Sequence, residues 1–263
     1  MAVASGNRFG YVWADELNSC DISAWVKAIC QQEWNPGLDG LFLMQRPDGG
    51  PWCLDHWDSD GSKSFCSNGS RAALAVPGAP EGTLVEAVSN GERILLKRTN
   101  AGAAIRMPEG ESCGLRPVPM AVPAPAGFGW IGNLQLILRV PSVAAVDLAT
   151  LAPPLRHHVA LPGGTNVSVV EVLAPGEARI RSWERGVEGE TLCCGTGCAV
   201  AAAWLASEGG PSEWTLHPAG GEAVTLSIGA LEGGAWRDLW LSGPVHLLGT
   251  RHLDVPPSQG IHS

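Results

Sequence analysis

Short runs of apolar residues, bounded by glycine, proline or asparagine, recur along most of the chain. Alternation of apolar and polar side chains over roughly four to eight residues is typical of half-buried β-strands, and turn-forming residues mark where such strands end. This pattern predicts nine strands, at residues 8–13, 41–45, 84–88, 93–97, 134–140, 168–172, 178–183, 223–228 and 239–241.

Helical periodicity is rarer. Residues 22–32 repeat apolar side chains at helical spacing after an N-cap at Asp21, and the Ala-rich segments 69–76 and 197–207 are each followed by turn residues. Residues 108–125 contain five prolines and predict a linker between two halves of the chain. Many short strands with few helices favour an α+β protein of two lobes of similar size.

Charge and apolar content narrow the expected partners and location. The chain of 263 residues carries 17 Lys and Arg against 26 Asp and Glu, a formal net charge of −9 at pH 7. Nucleic acids and anionic membranes select cationic proteins, so neither is an expected partner. The N-terminus lacks the basic and apolar regions of a secretory signal, and the longest apolar run, residues 192–206, is shorter than a membrane span. We therefore expect a cytoplasmic protein.

Cysteine is abundant and lysine is scarce, with eight cysteines against three lysines. Structural disulfides are rare in the cytoplasm, and the cysteine spacings match neither a small disulfide scaffold nor the paired Cys and His motifs of a zinc site. We expect free thiols and no metal ion. The shortage of lysine also disfavours chemistry through a Schiff base.

Two cysteines stand in matching surroundings half a chain apart. Cys66 and Cys194 are 128 positions apart, and each follows an acid-Gly pair and precedes a glycine and an Ala-rich helical segment. A second echo is the Gly-Asn pair at residues 6–7 and 132–133. Two echoes in nearly the same register indicate a duplicated unit with one cysteine in each copy.

A thiol immediately before a helix has a definite chemistry. The first N–H groups of a helix are unpaired, so they lower a thiol pKa and bind carboxylates. Two such units facing each other suit inversion of an amino acid at Cα, where one thiolate removes the proton and the other thiol supplies one to the opposite face. No cofactor is required. We interpret the other cysteines as packing residues: Cys20, Cys30, Cys53, Cys113, Cys193 and Cys198.

Eight motifs in chain order carry a family resemblance. Residues 66–71 (Cys-Ser-Asn-Gly-Ser-Arg) resemble Cys-Gly-Asn-Gly-Ala-Arg, and residues 194–197 (Cys-Gly-Thr-Gly) resemble Cys-Gly-(Ser/Thr)-Gly, both of the diaminopimelate epimerase family of cofactor-independent two-cysteine racemases. The other similar segments lie at residues 6–9, 37–41, 58–62, 164–167, 183–191 and 241–244.

The resemblance implies roles for individual residues. Cys66 and Cys194 would be the two catalytic bases of an enzyme without cofactor or metal. The substrate, a free amino acid, would contact ten further residues: Asn7, Asp58, Ser67, Asn68, Asn133, Asn166, Glu184, Arg185, Gly195 and Thr196. Arg185 suits bidentate binding of a distal carboxylate.

The resemblance also implies an architecture. The expected fold is α+β, with two pseudo-symmetric lobes that each wrap a mixed, mainly antiparallel, barrel-like sheet around a central helix. The expected lobes are residues 1–116 with 249–263, carrying Cys66, and residues 117–248, carrying Cys194. Family members are commonly homodimers.

Several positions depart from the family pattern: Arg8 replaces the usual Asp, Leu134-Gln135 replace Pro-His, Ser67 replaces Gly and Asp58 replaces Asn. The spacing from Asp60 to Cys66 is one residue shorter than usual, and that from Glu184 to Cys194 is one longer. An aspartate at 58 would repel a distal carboxylate and attract a cationic side chain.

Three hypotheses follow. The first is epimerisation of LL- and meso-diaminopimelate. The second keeps the chemistry but takes a basic amino acid such as histidine, lysine or ornithine, because of Asp58 and the absent histidine at 135. The third is a paralogue that binds an amino acid without turning it over. Proline-racemase-type enzymes fit less well, because Asn68 stands where their motif has histidine.

Overall fold

Two runs of strands and helices, one in each half of the chain, repeat the same order of pairing. The computed structural model describes residues 1–17, 21–31 and 37–250. The first run comprises β1 (Ala2–Ala4), β2 (Asn7–Trp13), α1 (Ile22–Cys30), β3 (Gly40–Gln45), β4 (Trp52–Asp58), α2 (Ser67–Ala73), β5 (Leu84–Ser89), β6 (Glu92–Thr99), β7 (Gly102–Arg106) and β8 (Gly114–Leu115).

The second run comprises β9 (Ala126–Trp130), β10 (Leu134–Arg139), α3 (Leu148–Arg156), β11 (Asn166–Ala174), β12 (Glu177–Glu184), β13 (Gly189–Thr191), α4 (Gly195–Ser207), β14 (Glu213–Pro218), β15 (Val224–Glu232), β16 (Ala235–Gly243) and β17 (Val245–Leu247). Short 3₁₀ turns lie at Ala14–Glu16 and Val143–Ala145. No helix among these residues is long and apolar enough to cross a membrane.

Strand pairing shows the duplication directly. In the first run β1 is antiparallel to β2, β2 is parallel to β3, β3 is antiparallel to β4 and β4 is parallel to β5. In the second run β9, β10, β11, β12 and β14 follow the same sequence of relations. Helices α1 and α3 fill the first crossover of each run, and α2 and α4 fill the second. The fold is therefore α+β, with a mixed, mainly antiparallel sheet.

Helices α2 and α4 are the buried centres of the two halves. All seven residues of α2 are buried, as is the stretch from Gly195 to Leu205 of α4. Small side chains make this possible: a Cβ on Gly69 would overlap the Phe42 ring, and a Cβ on Gly127 of β9 would overlap Trp204 of α4. Helix α4 is apolar on every side, and such a helix is stable only inside a core.

Strands also pair across the two halves. β7 is antiparallel to β16, β17 is antiparallel to β1, and β8 is antiparallel to β9, so the seventeen strands of the described residues form one continuous sheet. The lobe boundaries at 116/117 and 248/249 remain a prediction. Residues 251–263, which the prediction assigned to the first lobe, lie outside the described residues.

Candidate active site

The starts of α2 and α4 meet at the centre of the molecule. Cys66 is the N-cap of α2 and Cys194 is the N-cap of α4, both with extended backbone. A Cβ at Gly195 would overlap the Ser67 hydroxyl and would lie 2.8 Å from Asn68 Oδ1, so only glycine permits this approach. The two matching cysteine units predicted from the sequence therefore face each other.

One cavity of about 90 Å³ lies at this junction. It brings together all of the predicted site residues: Cys66, Cys194, Asn7, Asp58, Ser67, Asn68, Asn133, Asn166, Glu184, Arg185, Gly195 and Thr196. Eight lining residues were not predicted: Phe9, Asp39, His56, Ser64, Phe65, Val187, Thr191 and Cys193. Cys193 was predicted to be a packing residue, and it is buried in the core as well as lining the cavity.

Cys66 carries a half-buried thiol among carboxylates. Burial raises the pKa of Cys66 and the Gly69 backbone N–H lowers it, while the charges of Asp58, Glu184 and Asp39 raise it further. The thiol is therefore the stable form at neutral pH. A ligand ammonium group would offset these carboxylate charges and favour the thiolate.

Cys194 is buried and has different neighbours. Burial raises the pKa of its thiol well above the ordinary value, and the Glu184 carboxylate adds to this effect. The Thr196 hydroxyl, 3.5 Å from the sulfur, and the Gly197 backbone N–H act in the opposite direction. Asn166 Nδ2 lies 3.9 Å from the same sulfur. The two thiols thus share a position at a helix start but differ in their surroundings.

Buried amides join the two halves around the cavity. Asn68 Nδ2 donates to Asn7 Oδ1 at 3.1 Å and to the Cys193 carbonyl at 3.0 Å. Asn166 Oδ1 accepts the Arg185 backbone N–H at 2.7 Å. Within the described residues, the buried Asn68 Oδ1 has no hydrogen-bond partner. It is an acceptor suited to a ligand N–H group.

Carboxylates outnumber cations on the cavity wall. Asp39, Asp58 and Glu184 line it together with a single guanidinium, that of Arg185. Burial raises the pKa of Glu184, although the Thr191 hydroxyl donates to its Oε1 at 2.5 Å. The wall has more negative than positive groups, which favours a ligand with at least one ammonium group.

His56 was not predicted as a site residue. Its Nδ1 lies 3.2 Å from the Ser64 carbonyl oxygen and 3.8 Å from Asp58 Oδ1, and a Cβ at Gly40 would overlap its ring. Burial lowers its pKa, with Asp58 acting in the opposite direction, so the ring is neutral at neutral pH. The signal available in the sequence was the alternation that puts His56 and Asp58 on one face of β4, a strand the pattern missed.

Gln135, which lies beside the cavity next to Cys194, was not predicted as a site residue either. The sequence marked it only as a departure from the family histidine, yet its side chain is fully buried and its amide atoms lie 3.8 and 3.9 Å from the Cys194 sulfur. No described group of three or more His, Cys, Asp or Glu side chains has the arrangement of a metal site. The seven described cysteines are free, and Cys20 lies outside the described residues.

This arrangement can act on a carbon acid. The cavity has a thiol on each side, backbone N–H groups at two helix starts, and amide and carboxylate acceptors between them. Proton transfer at one carbon requires acid and base groups that can reach it from opposite faces, and a carboxylate bound at helix starts would stabilise the developing negative charge.

Sequence comparisons identify relatives of this chain. The sequence model of the family described as diaminopimelate epimerase matches residues 130–228. The chain is 33% identical over 250 residues to the diaminopimelate epimerase of Thermobifida fusca, covering 84% of this chain and 85% of that protein. It is 29% identical to the diaminopimelate epimerase of a Synechococcus species, covering 82% and 84% of the two chains.

Solved structures show the same fold at low sequence identity. A hydroxyproline epimerase from Agrobacterium vitis superposes with a TM-score of 0.68 at 12% identity, covering 94% of this chain and 88% of that one. A putative phenazine biosynthesis PhzC/PhzF protein from Clostridium difficile gives 0.68 at 10% identity, covering 97% and 98%.

Proposed function

Because the chain belongs to the diaminopimelate epimerase family, we propose that it inverts the α-carbon of a free amino acid between Cys66 and Cys194, with LL- and meso-diaminopimelate as the substrates. The chain is an amino-acid epimerase. The observation that carries the two-thiol assignment is the cavity in which the N-cap cysteines of α2 and α4 meet.

The proposed reaction is a proton exchange at Cα. The thiolate of one cysteine takes the Cα proton, and the electron pair left on Cα is delocalised into the substrate carboxylate. The thiol of the other cysteine then gives its proton to the opposite face, so each turnover leaves the protonation states of the two cysteines exchanged. The N–H groups at the starts of α2 and α4 would hold the carboxylate as its charge grows. No electron acceptor and no cofactor are needed.

The remaining groups would hold the rest of the substrate. Glu184 and the free Asn68 Oδ1 are acceptors for the α-ammonium group. Arg185 is exposed at the cavity wall and could bind a distal carboxylate through two parallel hydrogen bonds. Asp58, one third exposed, would bind the distal ammonium. Diaminopimelate carries each of these groups.

A second candidate is a basic amino acid without a distal carboxylate. The observation that favours it is the excess of carboxylates on the cavity wall, where Asp39, Asp58 and Glu184 face one guanidinium. Such a substrate would use Asp58 and leave Arg185 unpaired. The two candidates differ in a measurable way, because loss of Arg185 should weaken turnover only of a substrate with a distal carboxylate.

Exchange of the Cα proton with solvent tests the chemistry. In D2O, followed by proton NMR, we expect loss of the Cα–H signal of diaminopimelate or of a basic amino acid. Cys66→Ala and Cys194→Ala should abolish inversion, whereas Cys30→Ala, at a half-buried thiol at the end of α1, should retain it. If the wild-type protein bound amino acids without any exchange of the Cα proton, the proposed reaction would be overturned. A paralogue that binds an amino acid without turning it over would then be favoured.

The assembly and location of the enzyme belong to the same proposal. We propose that the enzyme is cytoplasmic and forms a homodimer, the assembly that the family resemblance implies, with each subunit divided into the two predicted lobes. Light scattering coupled to gel filtration measures the mass in solution. A monomer would refute the proposed dimer but would leave the proposed reaction unaffected, because the described cavity lies within one chain.

A further inference from the structure

Gln135 of β10 lies in the protein interior beside Cys194, and it does not line the cavity. Its Nε2 donates to Asn133 Oδ1 and to Thr196 Oγ1, each at 2.8 Å. The Cys194 sulfur is farther from the same nitrogen, at 3.8 Å. The two protons of the amide are therefore taken by Asn133 and Thr196.

The hydrogen bond from Gln135 Nε2 to Thr196 Oγ1 determines how the Thr196 hydroxyl can interact with the Cys194 sulfur. A hydroxyl has one proton and two acceptor lone pairs. Because Gln135 donates to Thr196 Oγ1, the hydroxyl proton stays free, and the Cys194 sulfur lies 3.5 Å from that oxygen. A donor pointed at the sulfur stabilises the thiolate more than the thiol.

We propose that Gln135 is a positioning residue, which holds the Thr196 hydroxyl as a hydrogen-bond donor to the Cys194 sulfur. Its catalytic meaning rests on the proposed function, because a Cys194 thiolate must form in one direction of the inversion and be left behind in the other. The relay runs from Asn133 through Gln135 and Thr196 to Cys194, and all four side chains are within the described residues.

Charged and titratable neighbours act against this relay. Burial and Glu184 of β12 raise the pKa of Cys194, and the pKa of Cys198, one turn along α4, is raised by its hydrogen bond with Cys193 and by burial. Gln135 cannot gain or lose a proton in the working range. The hydroxyl donor that it orients therefore offsets a carboxylate without adding a new ionisation to the site.

Site-resolved alkylation tests the relay without any substrate. The rate of iodoacetamide labelling of Cys194, read by tandem mass spectrometry across a pH series, reports its thiolate fraction. In Gln135→Met, which keeps the side-chain length, we expect the thiolate fraction at about pH 8 to fall about tenfold, as for loss of a hydrogen bond to a charged group. Gln135→Glu should lower it further, because a carboxylate cannot donate to Thr196 and would accept its proton instead.

A double-mutant cycle separates the relay from a packing role. Thr196→Val should lower the Cys194 thiolate fraction as Gln135→Met does, and the double variant should add little to either, because both remove the same donor. Ser168→Ala, which deletes a buried hydroxyl bonded to Ser182 at 2.8 Å, is the matched control and should change nothing. Thr196→Val also tests the same donor if a Gln135 variant does not fold.

The outcomes of the alkylation test can be distinguished from those of the Cα–H exchange test of the proposed function. The inference would be overturned if the labelling curves of both Gln135 variants coincided with the wild-type curve. It would also be overturned if Gln135→Met lowered the labelling rate as much in the Thr196→Val background as in the wild-type protein. Absence of Cα–H exchange in the wild-type protein would overturn the proposed function, while the alkylation result would still stand or fall on its own.

Discussion

The imidazole of His56 is kept uncharged by the fold. Its side chain is 2% exposed and packs against the rings of Phe9 and Phe42, with centroids 5.8 and 4.6 Å away. Burial lowers the pKa of His56, and Asp58 only partly opposes this. The unfolded chain therefore binds a proton that the folded protein does not, so stability is lost as the pH falls below the ordinary histidine value of about 6.5.

We expect the free energy of unfolding to decrease on acidification by up to about 1.4 kcal/mol per pH unit below about pH 6.5 because of this one side chain. His56→Leu cannot take up the proton, so its stability should depend less steeply on pH over the same interval, whatever its stability at neutral pH. Urea unfolding followed by tryptophan fluorescence measures both slopes. Equal slopes in the two proteins would show that His56 is not the group responsible.

Which side chains could be predicted depended on their neighbours along the chain. The twelve predicted residues lie inside or beside recognisable motifs, and all reach the cavity. His56 and Gln135 depend instead on partners distant in sequence: Asn90 bonds the His56 backbone from 34 positions away, and Thr196 is 61 positions from Gln135. Local patterns carry no information on such contacts.

The loop between β12 and β13 is held by an ion pair from α3. Arg156, at the end of α3, contacts Glu188 Oε1 at 2.7 Å, and Glu188 has a positive φ of 51°. The loop includes Arg185 and Val187, both on the cavity wall. The longer spacing between Glu184 and Cys194 noted in the sequence falls in this segment, so an element far from the thiols fixes part of the site.

Gly164 provides the space that this ion pair needs. A Cβ there would overlap the Arg156 guanidinium, and the backbone φ of +69° is strained for any other residue. We expect Gly164→Ala to destabilise the protein by about 3 kcal/mol, the size of a buried clash combined with strain. The adjacent Gly163→Ala, with open space around it, should cost less than about 1 kcal/mol. Chemical denaturation of both variants checks this, and similar losses would contradict the role of Gly164.

Nine of the seventeen described strands were predictable from the sequence, and eight were not. Each of the nine predicted strands is present. Among the eight that were missed, β4 has the sequence WCLDHWD, which mixes polar side chains into a half-buried strand. Helix α3 was missed because Pro153 and Pro154 lie inside it, and the Asp147 side chain caps its start at Thr150 N. The two prolines remove the helical signal from the sequence, although the nine-residue helix still forms.

We expect the enzyme to need neither a metal ion nor a cofactor. Since the proposed chemistry uses thiols and backbone N–H groups, incubation with EDTA or hydroxylamine, followed by desalting, should leave more than about 80% of the Cα–H exchange rate, because neither reagent attacks a general acid or base. Iodoacetamide should abolish it. Loss of exchange on EDTA treatment, restored by a divalent metal, would contradict a metal-free mechanism.

At the level of the whole chain, the duplication was visible in the 128-residue spacing, but the way the halves join was not. β7 pairs with β16 and β17 pairs with β1, so the end of each run completes the sheet of the other. Sequence periodicity identifies repeated units, whereas the pairing of strands from different units depends on their packing in three dimensions.

The repeated order of strand pairing has an evolutionary consequence. A single ancestral unit would build this cavity only as a two-fold symmetric pair, and its two thiols would then have identical surroundings and identical acidity. Joining the units in one chain removed that constraint, since each copy can mutate alone. Three carboxylates now act on Cys66, whereas Cys194 has one carboxylate beside it together with a hydroxyl and an amide. The fused chain can therefore make one thiol the better base and the other the better acid before any substrate binds, which a symmetric pair of identical subunits could not do.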